Sequence, residues 1–294
     1  MASFSLIVAT WNRVTELERL LGSLAAQTDK RFEVIVVDQN ADDRLLAVLA
    51  KYPQIQLHHL RCEQGASRAR NLGIRAAHGD IVAFPDDDCW YPADLLAGLA
   101  AWFDSHHDVD GVLTSVRTQQ NKLIAPKFRP PQGPLTKWNV LRCTMAINTF
   151  LRADVVKAIG FFREDIGPGT LSVYQSGEDL DYVIRAVEHG FRLWHQPSIS
   201  LYHPDCDTKK RNGRTAYSYA RGVGYIWRIH HYPRIWCLRE VVLRSLGGAV
   251  FHLCKGDLIG SHCRVLRAAG ELHGYFLPQT ELQTEVQLSG NDLR

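Results

Sequence analysis

Three consecutive aspartates, Asp86, Asp87 and Asp88, are the strongest chemical feature of the sequence. They lie in "FPDDDCWYP" (84–92), so apolar and aromatic residues precede and follow them. Adjacent carboxylates repel one another, and an apolar setting strengthens the repulsion because it lowers the local dielectric constant. One explanation is a solvated turn after a strand. The other, which the setting favours, is a bound Mg²⁺ or Mn²⁺ ion, since these ions take oxygen ligands and are commonly held by one or two carboxylates together with phosphates.

A second acidic group stands in "SGEDLDYVIRAVEHG" (176–190), where Glu178, Asp179 and Asp181 occupy the start of a predicted helix. The helix dipole favours negative charge at this end, and Ser176 with acidic first-turn residues would also form an ordinary cap. The pattern alone is therefore weak. Combined with the first acidic group it predicts a general base, because a carboxylate at the mouth of a helix is well suited to accept a proton.

His203 ends a short predicted strand in "SISLYHPD" (198–205). A single histidine is more often structural than a metal ligand. Its position after two acidic groups in an α/β chain makes a neutral imidazole ligand the second hypothesis, and both stay open.

The elements that must position these side chains alternate between strands and helices. Apolar runs at 4–10, 32–39 and 80–88 predict buried parallel strands, and leucines at helical spacing predict an amphipathic helix over 13–27. This order predicts an α/β fold with a mostly parallel central sheet flanked by helices. Ligands of such sheets bind at the carboxyl ends of the strands, so we expect Asp38 and the three aspartates at one edge.

The second half of the chain is less regular. Residues 117–147 are rich in proline and basic residues, and we expect a long functional loop with one or two strands. Helical patterns return at 153–162 and 177–190, and a short strand is predicted to end at 201–203. From about residue 214 the chain is basic, aromatic and helical.

Composition excludes several classes of protein. The 294 residues are 46% hydrophobic with a formal net charge of +3, which suits a sizeable core and gives no sign of nucleic-acid binding. Seven widely spaced cysteines without a CxxC pair predict reduced thiols and a cytoplasmic protein. The first apolar run is too short for a signal peptide. The apolar stretch 235–253 is interrupted by Arg239, Glu240 and Arg244, so we expect no spanning helix.

Taken together, these segments resemble the family 2 (GT2) inverting glycosyltransferases of the GT-A (Rossmann-like) fold, of the type that builds bacterial surface polysaccharides. "SLIVATWNR" is similar to the opening strand of that family, and "FEVIVVDQNADD" to its second strand. "SRARNLGIRAAHGDIVAFPDDDCW" is similar to the segment that joins an Arg-Asn pair to a DXD-type motif, and "GEDLDYVIRAVEHGFRLWHQP" to the acceptor half. Each motif is loose alone, but their order is specific over about residues 3–205.

The resemblance implies a nucleotide-sugar site. Within it Thr10 and Trp11 would line the nucleobase pocket, Asp38 would accept a hydrogen bond from the base, and Trp194 would form a wall of the sugar pocket. The full set implied in nucleotide-sugar binding is Thr10, Trp11, Asn12, Asp38, Arg70, Asn71, Asp86, Asp87 and Trp194.

The resemblance also implies metal and catalytic roles. Asp88 would ligate Mn²⁺ or Mg²⁺ on the donor diphosphate, with Asp86 and His203 completing the metal shell. Asp179 would be the general base, and Glu178 would hold a sugar hydroxyl.

Two features depart from the usual family pattern. In "VVDQN", Gln39 and Asn40 replace the commoner ending, which leaves the ribose contacts open. Pro85 stands where the family often has the first acid of its motif, so the division of roles among the three aspartates also stays open.

The implied reaction moves a sugar from a nucleotide-diphosphate donor to a hydroxyl of a saccharide or lipid-diphosphate-linked saccharide, with UDP the expected nucleotide and dTDP or GDP the alternatives. The implied regions are a GT-A domain over 1–210 (nucleotide-binding half about 1–115, acceptor half about 116–210), a helical C-terminal extension over 211–278 and a polar tail over 279–294. The segment 209–245 is either an ordinary helical subdomain or a peripheral contact with anionic lipid on the inner face of the membrane.

Two other classes stay open. A nucleotidyltransferase shares the architecture, the acids and the metal, but it would usually carry a glycine-rich loop after the first strand, and "ATWNRVTEL" has none. A non-catalytic sugar- or nucleotide-binding protein on the same scaffold would not need Asp179 or the triplet. Release of a nucleoside diphosphate on mixing donor with acceptor separates a transferase from both.

Overall fold

The computed structural model describes residues 2–124, 131–205 and 212–276. The chain forms two compact units, the first made of Met1–Phe162 and Tyr182–Cys206, the second of Arg163–Asp181 and Asp207–Arg294. The predicted tail at 279–294 and the beginning of the segment 209–245 lie outside the described residues.

The first unit contains an eight-stranded sheet. Its strands are β1 (Phe4–Thr10), β2 (Phe32–Asp38), β3 (Gln56–Arg61), β4 (Ile81–Ala83), β5 (Gly111–Arg117), β6 (Gly133–Pro134), β7 (Thr149–Arg152) and β8 (Leu193–Tyr202). Their order across the sheet is β3-β2-β1-β4-β7-β5-β8-β6. β1 is parallel to β2 and β4, β2 to β3, and β5 to β8, whereas β7 is antiparallel to both of its neighbours. The prediction of a mostly parallel α/β sheet is confirmed.

The described residues also contain α-helices, in this order along the chain. They are α1 (Val14–Ala25), α2 (Leu46–Leu49), α3 (Ala66–Arg75), α4 (Leu95–Ser105), α5 (Ala153–Ile159), α6 (Glu178–Glu188), α7 (Gly213–Ile229), α8 (Arg234–Glu240), α9 (Gly247–Cys254) and α10 (Leu258–Phe276). A π-helical turn at Val241–Leu246 joins α8 to α9. In the described part of the chain, none of these helices combines the length and the apolar character needed to cross a membrane.

The two faces of the sheet are covered by different helices because successive strand residues point to opposite sides. Leu6 and Val8 share one buried cluster with the leucines of α1 and the apolar residues of α4. Ile7 faces the other side, where α3 packs on β1 and β2. Gly73 of α3 permits this close approach, because a Cβ at that position would overlap the Ile7 side chain.

The strand before the acid triplet is shorter than predicted. The apolar run suggested a strand over 80–88, but β4 ends at Ala83. Pro85 has no backbone N–H to donate to a neighbouring strand, and the chain then turns, with Cys89 N donating to the carbonyl of Asp86 at 3.2 Å.

Other elements also differ from the sequence prediction. β5 and β7 were not predicted, and β8 is ten residues long rather than a short strand ending at 201–203. The described residues of the region 117–147 contain the short β6, an isolated antiparallel bridge between Arg117 and Leu123, and 3-10 turns at Val140–Arg142 and Ala146–Asn148. This agrees with the expected loop carrying one or two strands.

Asn71 of α3 is expected to contribute strongly to stability. Its Nδ2 donates to the carbonyl of Phe162 at 2.9 Å, and its Oδ1 accepts from the Phe162 N–H at 2.7 Å, both buried. We predict that Asn71→Ala lowers the free energy of unfolding by about 2–4 kcal/mol, because two buried backbone groups lose these hydrogen bonds. Urea denaturation measures the change, with exposed Gln54→Ala as the control. Equal midpoints for both variants would contradict this assignment.

Candidate functional site

The carboxyl ends of the parallel strands bring the acid triplet to one edge of the sheet. β4 pairs in register with β1, Ala83 opposite Leu6, so the turn that begins at Asp86 lies near the level of Thr10. Thr10 is itself paired with Asp38 at the end of β2. The expectation that Asp38 and the triplet share an edge therefore follows from the observed register.

A two-residue bridge brings His203 beside the triplet. Trp90 N donates to the Tyr202 carbonyl at 2.9 Å, and Tyr202 N donates to the Trp90 carbonyl at 3.0 Å. The two rings stack at 5.7 Å between centroids. His203 follows directly, and its Nε2 lies 3.1 Å from Asp88 Oδ1.

Asp86, Asp88 and His203 together form a candidate metal site. One potential ligand atom from each lies within 4.8 Å of the other two, and all three side chains are partly exposed. Two carboxylates and an imidazole are a suitable donor set for a divalent cation. The sequence-based hypothesis that His203 lies with the aspartates agrees with this geometry.

Positively charged side chains surround the triplet. Arg13 Nη1 donates to Asp87 Oδ1 at 2.9 Å and to Asp88 Oδ2 at 2.5 Å, while Arg70 Nη2 lies 3.4 Å from Asp86 Oδ1. Each carboxylate of the triplet therefore has a cationic neighbour. Arg13 is not among the predicted site residues. Its position three residues after β1, which ends at the same edge of the sheet, is the feature of the sequence that would have indicated it.

Arg19 supports the same turn from α1. Its Nη2 donates to the Asp88 carbonyl at 2.5 Å, and its guanidinium lies 4.5 Å from the centroid of the Trp90 ring. This contact fixes the backbone of the turn and leaves the Asp88 carboxylate directed toward Arg13 and His203.

Asp87, Asp88 and His203 have different surroundings, and their pKa values are shifted in different directions. Burial raises the pKa of Asp87 to about 6, in spite of the opposing charge of Arg13. Burial would also raise the pKa of Asp88, but His203 and Arg13 outweigh it, and the pKa of Asp88 is lowered. Burial disfavours a charged His203, yet the hydrogen bond that its imidazole donates to the Asp88 carboxylate prevails, and the pKa of His203 is raised.

The residues expected at the nucleobase lie at the ends of β1 and β2. Trp11 is exposed and Thr10 is buried. Asp38 is fully buried, and its Oδ1 accepts from the Asn40 backbone N–H and Nδ2 at 2.8 and 2.7 Å. His59 Nε2 lies 3.1 Å from the other oxygen, Oδ2. A contact between this carboxylate and a base therefore stays a prediction.

Asn12 shapes the loop that carries Trp11. It has a positive φ of 58°, its backbone N–H donates to Asn40 Oδ1 at 2.8 Å, and its side-chain oxygen accepts from Arg44 at 2.6 Å. Asn40, one of the two residues that depart from the family pattern, therefore has a structural role: its side chain connects the loop after β1 to the loop after β2.

Asn71 has a packing role that the sequence did not predict. Its amide is bonded at both ends to the backbone of Phe162, and the expected contact between Asn71 and the nucleotide stays a prediction. Its neighbour Arg70 does reach the triplet, through Asp86.

Trp194 lies toward the other end of β8 from the residues that adjoin the triplet, and its expected place in the sugar pocket stays a prediction. It is the second residue of β8 and pairs with Val112 near the start of β5. β8 has the same direction as β1, and Tyr202 at its other end adjoins the triplet. β8 has a bulge between Gln196 and Ser200, and along its partner β5 the positions opposite Trp194 and Tyr202 are Val112 and Arg117, five residues or about 17 Å apart. Trp194 packs against the core and lines a cleft of about 390 Å³ with Trp138.

In the second unit, the three acids at the start of α6 have different environments. Glu178 is buried, and its carboxylate lies against Gly167, where a φ of 106° and the short distance leave no room for a larger side chain. Asp181 is buried 3.1 Å from His230 Nε2. Asp179 is partly exposed. Ser176 donates to the Tyr219 carbonyl at 2.7 Å, an interaction outside the helix cap that we considered.

Comparison with known proteins agrees with this fold. The family model "Glycosyl transferase family 2" matches residues 5–160, more than half of the chain, and the chain therefore belongs to glycosyl transferase family 2. This membership makes it one of the glycosyltransferases.

Two relatives illustrate the similarity in sequence. The poly(ribitol-phosphate) beta-N-acetylglucosaminyltransferase TarS of Staphylococcus aureus is 34% identical over 113 residues, which are 36% of this chain and 20% of TarS. The match thus spans about a fifth of that relative's length. The uncharacterized glycosyltransferase YwdF of Bacillus subtilis is 23% identical over 209 residues, covering 69% of this chain and 74% of YwdF.

Two solved structures share the GT-A fold. A TarS fragment of S. aureus in complex with UDP-GlcNAc superimposes with a TM-score of 0.62 at 18% identity, covering 93% of each chain. The mannosyltransferase PcManGT of Pyrobaculum calidifontis in complex with GDP-Man and Mn²⁺ gives a TM-score of 0.64 at 17% identity, covering 94% of this chain and 87% of that one. At these identities the similarity establishes the fold, and the predicted GT-A architecture is confirmed.

The raised pKa of Asp87 predicts a pH-dependent stability. Its pKa is about 6 in the folded protein and 3.8 in a model peptide, so the folded state holds the proton more tightly between these values. The contribution of Asp87 to stability is therefore present at low pH and is lost as pH rises toward about 6. In EDTA, Asp87→Asn should be more stable than wild type at about pH 7, by about 3 kcal/mol at most, and the difference should vanish near about pH 4.

Urea denaturation of both proteins across this pH range measures the effect. Gln54→Ala, which changes no ionisable group, should keep the wild-type pH dependence. A stability difference between Asp87→Asn and wild type that stays constant with pH would contradict the assigned environment of Asp87.

Arg13 is expected to act in place of a metal ion when none is bound. We predict that Arg13→Ala lowers the melting temperature in EDTA by about 2–4 °C, because Asp87 and Asp88 lose their shared cation. Adding Mn²⁺ should then raise the melting temperature of Arg13→Ala by more than it raises that of wild type. Arg31→Ala removes a surface pair with Asp29 and serves as the control. Equal Mn²⁺ increments in all three proteins would refute this role.

Proposed function

We propose that the protein is a metal-dependent inverting glycosyltransferase that moves a sugar from a nucleotide-diphosphate donor to an acceptor hydroxyl. The observation that carries the proposal is the group of Asp86, Asp88 and His203 at the carboxyl edge of the sheet, in a chain that belongs to glycosyl transferase family 2. A nucleotide bound at this edge would have its diphosphate near these side chains.

The donor set supports Mn²⁺ or Mg²⁺ as the cofactor. Oxygen ligands suit both ions, and the imidazole of His203 favours Mn²⁺ over Mg²⁺, which prefers oxygen. When bound, the ion would stabilise the negative charge that develops on the leaving nucleoside diphosphate. Metal ligation requires a neutral His203, so we expect protonation of this imidazole to oppose binding.

Arginines of the same unit have a further proposed role. Arg13 contacts Asp87 and Asp88 through an exposed side chain, and Arg70 contacts Asp86 from a buried position. A guanidinium suits a diphosphate because its donors match phosphate oxygens. We propose that Arg70 holds Asp86 in position and that Arg13 turns to the donor diphosphate.

Asp179 is the proposed general base. It stands in the first turn of α6 with a partly exposed carboxylate, whereas Glu178 and Asp181 are buried. A carboxylate in this setting would accept the proton of the attacking hydroxyl. A single displacement opposite the leaving group would invert the anomeric configuration, and Glu178 would hold a hydroxyl of the sugar.

The choice of donor nucleotide rests on the nucleotide sugars bound in the similar solved structures. TarS, whose fragment is solved with UDP-GlcNAc, makes a UDP-sugar the first choice, and PcManGT with GDP-Man keeps GDP as the alternative. We propose a saccharide or lipid-linked saccharide as the acceptor, in bacterial polysaccharide or glycan synthesis. The seven widely spaced cysteines without a CxxC pair support a cytoplasmic location.

Two substitutions separate donor binding from catalysis. We predict that UDP with Mn²⁺ raises the melting temperature of wild type and of Asp179→Asn, but not of Asp88→Asn, because only the last removes a metal ligand. Release of UDP from a UDP-sugar in the presence of acceptor saccharides should fall by at least about a hundredfold in both variants. Asp108→Asn, an exposed acid far along the chain from the site, is the control.

Each rival class has its own outcome in this experiment. UDP binding without turnover in any donor and acceptor combination would favour a non-catalytic binding protein. Pyrophosphate release from a nucleoside triphosphate and a sugar phosphate would favour a nucleotidyltransferase. Full activity of Asp88→Asn would contradict the metal assignment, and full activity of Asp179→Asn would contradict the choice of base.

A further inference from the structure

The helical run 234–254 of the second unit has an inverted distribution of polar and apolar side chains. Its buried positions recur at helical spacing and are small or polar: Cys237, Glu240, Val241, Ser245 and Ala249. Its exposed positions recur at the same spacing and are large and apolar: Ile235, Leu238, Val242, Leu243, Leu246, Val250, Phe251 and Leu253. A helix on the surface of a protein in water normally has the opposite arrangement.

The exposure of these residues is substantial. Ile235 is 78% exposed, Leu243 65% and Val250 60%. Leu258 and Ile259, which begin α10 directly after the turn that follows α9, are also exposed. We name this the aliphatic face, composed of the eight exposed residues of the run together with Leu258 and Ile259. Contiguous apolar patches of this kind usually mark an interaction site.

The polar side of the run is held in place by buried acids. Glu240 is paired with Arg244 at 3.6 Å, and Glu271 of α10 is paired with Arg267 and accepts from the Ser245 hydroxyl at 2.7 Å. Because these buried groups would be costly to expose, the run cannot simply rotate to bury its aliphatic face.

The charge around the aliphatic face is strongly positive. Residues 212–276 contain nine arginine and lysine side chains and three acidic ones, an excess of six positive charges. Two of the three acids are the buried Glu240 and Glu271. Among the cations, Arg221 is buried, whereas Arg234, Arg239 and Lys255 are exposed. The exposed surface of the run is therefore apolar and basic, and its complement is apolar and anionic.

An apolar and basic surface favours an anionic lipid bilayer over a second copy of the chain as the binding partner. A second copy of the chain would bring an equally positive surface to the contact, and the two would repel. An anionic lipid bilayer offers both properties, since aliphatic side chains enter the interface while arginine and lysine reach lipid phosphates. Arg239 and Arg244 interrupt the run, so a position parallel to the bilayer surface suits it better than a crossing.

We propose that the aliphatic face docks the protein on an anionic bilayer, with the run 234–254 lying in the plane of the interface. The sequence suggested a lipid contact within 209–245, carried by interleaved basic and aromatic residues. Tyr225, Trp227 and Tyr232 of that segment are buried. We therefore assign the lipid contact to the aliphatic face rather than to these aromatic residues. The inference does not depend on the proposed transfer reaction.

Co-sedimentation with vesicles of phosphatidylcholine, with and without phosphatidylglycerol, tests the proposal. Wild type should bind the anionic vesicles more tightly than the neutral ones. The double variant Leu243→Ser with Val250→Ser should bind anionic vesicles at least about tenfold more weakly. Leu123→Ser, which removes an equally exposed leucine from the first unit, should bind as wild type does. Equal melting temperatures verify that all the proteins are folded.

A charge variant supplies a second readout. Arg234→Glu with Arg239→Glu should weaken binding to anionic vesicles and leave binding to neutral ones unchanged, and high salt should reproduce the loss in wild type. Absence of vesicle binding by wild type, or equal binding by the double leucine–valine variant, would overturn the proposal. So would a change in oligomer mass between wild type and that variant, which would assign the face to self-association.

Discussion

The site depends on keeping three adjacent carboxylates together at one edge of a sheet. Asp87 is buried and Asp86 and Asp88 are partly exposed, so solvent alone does not screen their mutual repulsion. Arg13, Arg70 and His203 compensate that charge at 2.5–3.4 Å. The same three groups therefore offset the repulsion within the triplet and surround the position where a metal would act.

The sheet topology explains why these groups meet. β1, β4, β5 and β8 all point their carboxyl ends to the same edge, although the antiparallel β7 lies between β4 and β5. Strand direction thus brings together residues that are far apart in sequence. They are Arg13 after β1, the triplet after β4 and His203 after β8. The Trp90–Tyr202 bridge then fixes the distance between the last two.

Much of this arrangement could be predicted from the sequence, and the failures have physical causes. Continuous apolar runs identify β1 and β2, and the ordered motifs identify the family. The packing contacts of Asn71 and Trp194 could not be predicted, because a motif states which residue types recur but not where their side chains point. Asn71 turns inward to Phe162, and Trp194 lies near the start of a strand longer than predicted. The exposure of the aliphatic face could not be predicted, because apolar residues at helical spacing normally indicate the buried side of a helix.

The central claim is that Asp86, Asp88 and His203 hold one divalent cation. Electron paramagnetic resonance of free Mn²⁺ during titration of the protein counts the sites directly and needs neither donor nor acceptor. One site per chain is expected in wild type, weakened in Asp88→Asn and in His203→Ala and unchanged in Asp108→Asn. Identical Mn²⁺ binding by wild type, Asp88→Asn and His203→Ala would contradict the account.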